Sequence, residues 1–317
     1  LAYATFYNFK SAAVSDKAML NPYSAEKAKK DIENANDFNV EVKININKEK
    51  VIEDNKSNEE EVELTMERVW EFATTAPIEE IEFIREAAKL NKAAAEFSFK
   101  GNYGHCLGKT MQGPLELAIM GKNTFTHVLS YTSAACDARM AGAMVPVMSN
   151  SGSGNQGIAA TMPVVIFAED NNNSDEQLLR GLMLSHLTTI YIKQTLGRLS
   201  ALCGCVVATT GASCGITYLM GGNYTQVTYA VKNMIANITG MICDGAKPSC
   251  ALKLTSGVST AVLSAILAME GKCVTSVEGI IDDDVDRSIR NLTRIGSQGM
   301  NETDRLVLDI MTSKQCN

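Results

Sequence analysis

The residues from Met148 to Pro163 read MSNSGSGNQGIAATMP, and their types point to anion binding. Asn150, Ser151, Gly152, Ser153, Gly154, Asn155 and Gln156 make a small-residue loop that runs straight into an apolar stretch, Ile158 to Ala168. A loop feeding a helix start presents unpaired backbone N–H groups and the positive end of the helix dipole, which together hold a carboxylate or phosphate. Glycine lets the main chain approach a ligand, and Asn155 and Gln156 add side-chain donors. The competing reading is a flexible Gly/Ser linker. The run is short and lies between two apolar segments, which favours the binding loop. It is neither a Walker loop nor a dinucleotide fingerprint, because no GK[ST] follows and no clear strand precedes it.

The cysteines are the second feature. Nine cysteines accompany only three histidines. Cys203 and Cys205 fall on an expected buried helix, with Cys214 near its other end. Cys243 and Cys250 flank MICDGAKPSC, where Asp244, Gly245 and Pro248 predict a tight turn that brings these two cysteines together. Their spacing is too long for a zinc knuckle. Two thiols on a loop and one from a helix suit an iron–sulfur cluster with one iron left open as a Lewis acid. Spacing alone favours the plainer reading of small core hydrophobes.

Other candidates are single residues. In TSAACDAR, Thr132 or Ser133 is expected to cap a helix, with Asp137 and Arg139 in its early turns. Arg139 can clamp a carboxylate, and an internal pair with Asp137 is an equal alternative. His105 and Cys106 are adjacent on the glycine-rich loop Gly101 to Gly108 and are candidates for a nucleophile or base, although neighbours in sequence usually point apart. His186, within an apolar helix, reads as a hydrogen-bonded core residue.

These residues need a scaffold, and the sequence predicts a mainly α fold. A large multi-helix domain with buried small-residue helices spans 61–317, preceded by a small α+β segment and linker over 1–60. In that segment Ser24 to Asn34 reads as a capped helix, Val40 to Ile46 as a strand, and 53–62 as a solvated charge run. Leu64, Val69, Trp70 and Phe72 share one side of the first helix of the main domain, and Pro77 opens a second. Helices are expected at 113–130, 132–146, 156–168, 175–197, 199–220, 224–240, 250–270, 275–292 and 301–313. LSALCGCVVATTGASCGITYLMGG is apolar all round, the mark of a central helix.

Composition narrows the function. The chain has 317 residues and a net charge of -7, without a basic stripe, which argues against nucleic acid. No apolar run reaches about 18 residues uninterrupted, so no membrane span is expected. The sequence has no signal peptide at its start, which places the cysteines in the reducing cytoplasm. It begins at Leu1, as a fragment would.

SAACDARMAGAMVPVMSNSGSGNQGIAATMPVV, LSHLTTIYIKQTLGRLSALCG and ITGMICDGAKPSCALK together resemble the L-cysteine desulfidase family, the UPF0597 group. That group is related to the alpha part of the iron–sulfur L-serine dehydratases. The likeness runs from about Val69 to the end. It implies a lyase that converts L-cysteine to pyruvate, ammonia and hydrogen sulfide with a [4Fe–4S] cluster and no pyridoxal phosphate. It places the cluster ligands on Cys203, Cys243 and Cys250, leaves Cys136, Cys205 and Cys214 as core, and makes Asn150 to Gly157 the substrate-carboxylate cradle. L-serine dehydratase is the neighbouring alternative, and a cluster-binding remnant or subunit is another. The family's N-terminal GCTEP-like motif, whose cysteine serves as base, does not occur here. A base supplied by a separate N-terminal chain is therefore expected, and a homodimer is compatible with the small-residue helices.

Overall fold

The structure is a computed structural model that describes residues 64–197 and 200–314. The expected helix at Ser24 to Asn34, the strand at Val40 to Ile46 and the linker over 53–62 lie outside the described residues. What is described is mainly helical: two isolated β-bridges, Asn150 with Ser153 and Leu202 with Ile242, are the extent of β pairing among these residues.

The elements are α1 (Met66–Thr75), α2 (Ile78–Ile81) with a 3-10 turn (Glu82–Ile84), α3 (Arg85–Phe99), α4 (Leu107–Thr110), α5 (Pro114–Met120) and α6 (Thr124–Met140). Then follow α7 (Gly154–Asp170), α8 (Asp175–Leu196), α9 (Gly204–Leu219), α10 (Tyr224–Ile238) and α11 (Cys250–Met269). The chain closes with α12 (Val285–Arg294), a π turn (Ile295–Gly299) and α13 (Asn301–Thr312).

Helix α9 is the centre. Cys205 to Thr217 is buried without a break, so every face of α9 meets another helix. Its small residues set the spacing. A Cβ on Gly211 would run into the Ser185 carbonyl oxygen and the Thr189 hydroxyl of α8, and one on Gly215 would crowd the Gly181 carbonyl. The buried hydroxyls of Thr209, Thr210 and Thr217 bond back to the carbonyls of Cys205, Val206 and Ser213 at 2.7–2.8 Å, so these hydroxyls are buried but paired.

The same contacts fix direction. Gly204 faces Gln156 and Gly215 faces Val164, so α7 and α9 run parallel. Cys205 lies against Lys253 and Gly257 while Gly222 lies against Met269, so α9 and α11 are parallel too. Helix α6 is antiparallel to α7: Arg139 meets Asn155 at one end and His127 meets Asp170 at the other. The N-termini of α7, α9 and α11 and the C-terminus of α6 therefore share one end of the bundle. Helix α11 is long and apolar enough by length and composition to cross a membrane, yet half of that stretch is buried in the bundle.

Several expectations need correction. The helices expected at 113–130 and 132–146 are instead Pro114–Met120 and Thr124–Met140, so the break between them falls earlier and the second ends at Met140. Asn123 caps α6 by accepting the Thr126 N–H, and Thr132 and Ser133 lie mid-helix, bonded back to Val128 and Leu129. The break comes at Gly121, which takes a positive φ of 78°, and not at Tyr131. Asp137 and Arg139 consequently sit in the last turn of α6. Cys203 stands at the N-cap of α9 and not within it. The segment after α11 stays irregular until Asp284 caps α12, so the helix expected at 275–292 begins at Val285. The helix expected from Pro77 is broken at the Glu82–Ile84 turn. In α1 the buried positions are Met66, Val69 and Ala73, whereas Phe72 is exposed.

Gly211→Ala should destabilise the protein by about 1–3 kcal/mol, because its methyl group meets backbone of α8. Gly240→Ala, in open space, should stay within about 0.5 kcal/mol. Urea unfolding of the two variants measures this, and equal midpoints would contradict the packing described.

Candidate active site at the N-terminal ends of three helices

The loop Met148–Ser153 is held from below by a buried polar chain. Asn91 of α3 takes the Met148 N–H on its Oδ1 at 2.8 Å and donates through Nδ2 to Thr161 Oγ1 at 3.1 Å. Thr161 donates its hydroxyl hydrogen to the Gly157 carbonyl at 2.6 Å. His186 Nε2 lies 2.9 Å from the same Oγ1, so the ring must be the donor there. Its Nδ1 then accepts from Asn150 Nδ2 at 3.1 Å. Burial pulls the His186 pKa down to about 4, in keeping with this neutral tautomer. Asn150 thus points into the core.

Above this anchor the loop turns sharply. Asn150 and Ser153 exchange both backbone hydrogen bonds, at 3.1 and 3.0 Å, with Ser151 and Gly152 between them at φ of 50° and 79°. Two consecutive positive φ values make a tight turn and lift Ser151 and Gly152 outward. The Ser153 hydroxyl caps α7 on the Gln156 N–H. Two of the loop's glycines serve internal packing: a Cβ on Gly154 would overlap the Arg139 guanidinium, and one on Gly157 would overlap the Met148 carbonyl. Asn155 Oδ1 accepts from Arg139 Nη1 at 3.1 Å and from the Cys136 thiol at 3.5 Å. Gln156 packs over Gly204, and its buried Oε1 has no partner among the described residues.

The cysteines stand next to this loop. Cys203 precedes α9 and Cys250 opens α11, and neither helix start has a side-chain cap. Cys203 N–H bonds to the Met241 carbonyl and Cys243 N–H to the Ala201 carbonyl, which brings the two strands of chain together. The Cys243 thiol is lowered to about 6, first by the hydrogen bond from Cys203, then by the Gly245 N–H and Lys253. Cys203 is raised by the same bond. Cys250 accepts the Lys247 N–H at 3.5 Å, and its field reaches Cys136 and Cys205, both pushed up chiefly by burial. The pairing of Leu202 with Ile242 thus sets Cys243 against Cys203. Lys193, in the last turn of α8, adds a half-buried cation facing Cys243, its pKa lowered by burial.

His105 and Cys106 stand on a loop tied to the end of α6. Asp137 takes the Gly108 N–H at 3.0 Å, and burial raises its pKa. Cys106 has a φ of 55° and its thiol faces Asn102, while His105 is exposed. Asn91, Thr161, Lys193 and Lys253 were not singled out in the sequence. They are isolated polar residues in helices, and no local pattern marks them.

No three ligating side chains among the described residues lie close enough to share one metal ion. A cluster of several irons asks something different: one thiol for each ligated iron, spread around it. Cys203, Cys243 and Cys250, two at helix starts and one lowered by a hydrogen bond from its neighbour, have the donor chemistry for that.

An all-helical bundle that gathers cysteines and a glycine- and serine-rich loop at its helix starts defines a class, and comparison with known proteins identifies it. The family model of the serine dehydratase alpha chain matches residues 20–309, and the chain belongs to this family, one of lyases. A UPF0597 protein of Phocaeicola vulgatus is 77% identical over 258 residues, covering 81% of this chain and 60% of that protein. One of Bacteroides thetaiotaomicron is 72% identical over 272 residues, 84% of this chain and 63% of that protein. One of Oleidesulfovibrio alaskensis is 53% identical over 257 residues, 81% and 60% respectively. The chain thus spans about three fifths of the length of these relatives. No solved structure matches it.

The His186 chain makes stability pH-dependent. Between pH 6.5 and about 4 the unfolded chain binds a proton at this residue that the folded one refuses. Stability should therefore fall as pH drops through that window, by roughly 3 kcal/mol from this group, and level off below it. His186→Gln should be less stable at pH 7 by about 1–3 kcal/mol and should lose that part of the slope. Parallel slopes in denaturant titrations of the two proteins would contradict the neutral assignment.

Proposed function

We propose that this chain carries the cluster-binding and substrate-binding part of a lyase that removes a β-substituent from a small L-amino acid. L-cysteine is the first substrate, giving pyruvate, ammonia and hydrogen sulfide. The observation that carries this reading is the meeting of three helix N-termini with Arg139 and three cysteine thiols at one end of the bundle. Such an end attracts a carboxylate and stabilises thiolates together. L-serine is the second reading, favoured by the name of the matching family. The two substrates differ only in the leaving group.

In this reading Cys203, Cys243 and Cys250 hold a [4Fe–4S] cluster, which supplies a Lewis-acidic iron for the departing sulfur or hydroxyl. The protein does the rest. The exposed turn at Ser151 and Gly152 and the Arg139 guanidinium, steadied by Asn155, orient the substrate carboxylate. The unpartnered Gln156 Oε1 takes a hydrogen of the substrate ammonium. A base removes the α-proton, and the C–S electron pair leaves with the sulfur. The aminoacrylate that results tautomerises to the imine, and water releases pyruvate and ammonia. His105 and Cys106 are the candidates for the base within this chain. A further segment of the whole protein, or a second chain, is the other source.

Anaerobic reconstitution with iron and sulfide tests both halves. The protein should turn brown, and Cys203→Ser, Cys243→Ser or Cys250→Ser should abolish the colour. Cys205→Ser should keep it, since a serine hydroxyl can still donate to the Lys253 carbonyl. An unchanged spectrum in Cys243→Ser would refute the ligand set. Sulfide and pyruvate are then assayed from cysteine, and pyruvate from serine. Asn155→Ala should raise the KM for the true substrate and leave the colour intact. If the base lies elsewhere, the chain alone should turn over about 10²–10⁴-fold more slowly than a full-length relative. Turnover equal to the relative's, lost in His105→Ala or Cys106→Ala, would place the base here.

A further inference from the structure

Helix α6 ends beside the start of α7, and its last residue, Met140, joins the two through its sulfur. The end of α6 is locked. Gly142 takes a φ of 76°, its N–H bonds to the Arg139 carbonyl at 3.1 Å, and the Ala143 N–H bonds to the Ala138 carbonyl at 3.0 Å. These two bonds form a Schellman motif, which fixes the backbone of Arg139 and Met140. The Met140 side chain is buried. Asn155 Nδ2, in the first turn of α7, donates to Met140 Sδ at 3.0 Å, and Arg139 Nη1 donates to the same atom at 3.4 Å.

The sulfur settles which way the Asn155 amide points. Asn155 Oδ1 accepts from Arg139 Nη1 at 3.1 Å and from the Cys136 thiol at 3.5 Å. A flipped amide would turn its NH2 toward the guanidinium, donor against donor, and its oxygen toward a sulfur with no hydrogen to give. Arg139 on one side and Met140 on the other therefore hold a single orientation. A thioether is a weak, uncharged acceptor. It steadies the guanidinium without adding a negative charge that would compete with an incoming carboxylate. Leucine would fill nearly the same volume and lose the acceptor.

We propose that Met140 is a positioning residue for substrate binding: its thioether orients Asn155 and, through Asn155, the Arg139 guanidinium that receives the substrate carboxylate. The inference rests on the lyase reading above, in which Arg139 steadied by Asn155 is the carboxylate site. It gives a polar task to a residue that otherwise counts as core.

The test is Met140→Leu, read in two ways. In the protein reconstituted with iron and sulfide, KM for the true substrate should rise about two- to fivefold, as loss of one weak hydrogen bond implies. KM and not kcat should carry the change, and the brown colour should stay. In an Asn155→Ala background the same substitution should change KM no further, because its partner is gone. In the cluster-free protein, the side-chain amide protons of Asn155, assigned by their loss in Asn155→Ala, should shift in Met140→Leu. Turnover with an unchanged KM in Met140→Leu, an equal rise of KM in the Asn155→Ala background, or unmoved amide protons would each overturn the role of Met140. Absence of turnover from both cysteine and serine would overturn the lyase reading and this role with it, whereas shifted amide protons would still establish the bond from Asn155 to Met140.

Discussion

The fully buried imidazole of His186 is the constraint on which the candidate site depends. Hydrogen bonds fix its tautomer from both sides: it donates to Thr161, whose own hydrogen is already given to Gly157, and it accepts from Asn150. Desolvation forbids the charged form. The result is a rigid connection between α8, α7 and the loop, with Asn91 closing it from α3. Every partner in this chain is needed, because a polar group left unpaired at that depth costs more than the bond contributes.

Helix packing supplies the second layer. Close approach of α9 to α8 rests on Gly211 and Gly215, and its approach to α7 rests on Gly204 beneath Gln156. The close spacing keeps α7, α9 and α11 parallel and in register. Three dipoles then add at one end, and cysteine stands where two of these helices begin. Parallel neighbours repel electrostatically through their aligned dipoles, so this end gains from anything negative placed there. Thiolates and a carboxylate are both of that kind. Cys243, on the loop between α10 and α11, is lowered by a different cause, the hydrogen bond from Cys203.

Glycine and asparagine have two duties in the loop. Gly152 serves the turn by its positive φ, whereas Gly154 and Gly157 are small because Arg139 and Met148 occupy the space a side chain would need. Asn150 looks inward to His186, and Asn155 looks across to Arg139. The Ser151 hydroxyl donates to Asn150 Oδ1, while the buried Oε1 of Gln156 has no partner among the described residues.

The sequence by itself determined the helical class, the central small-residue helix, the loop that leads into α7 and, by resemblance, the family. These are legible because they rest on local composition: hydrophobic period, glycine and serine density, and motifs that are contiguous along the chain. It misplaced the start of α6, because Asn123 and the positive φ of Gly121 are weak signals beside the Thr132–Ser133 pair, whose hydroxyls bond to their own helix instead of capping it. Only the tertiary structure decided that Cys243 meets Cys203, that three helix starts converge, and that Asn91, Thr161 and His186 form one chain. Those contacts join residues tens of positions apart, and spacing along a sequence does not record which helices lie side by side or in which direction they run.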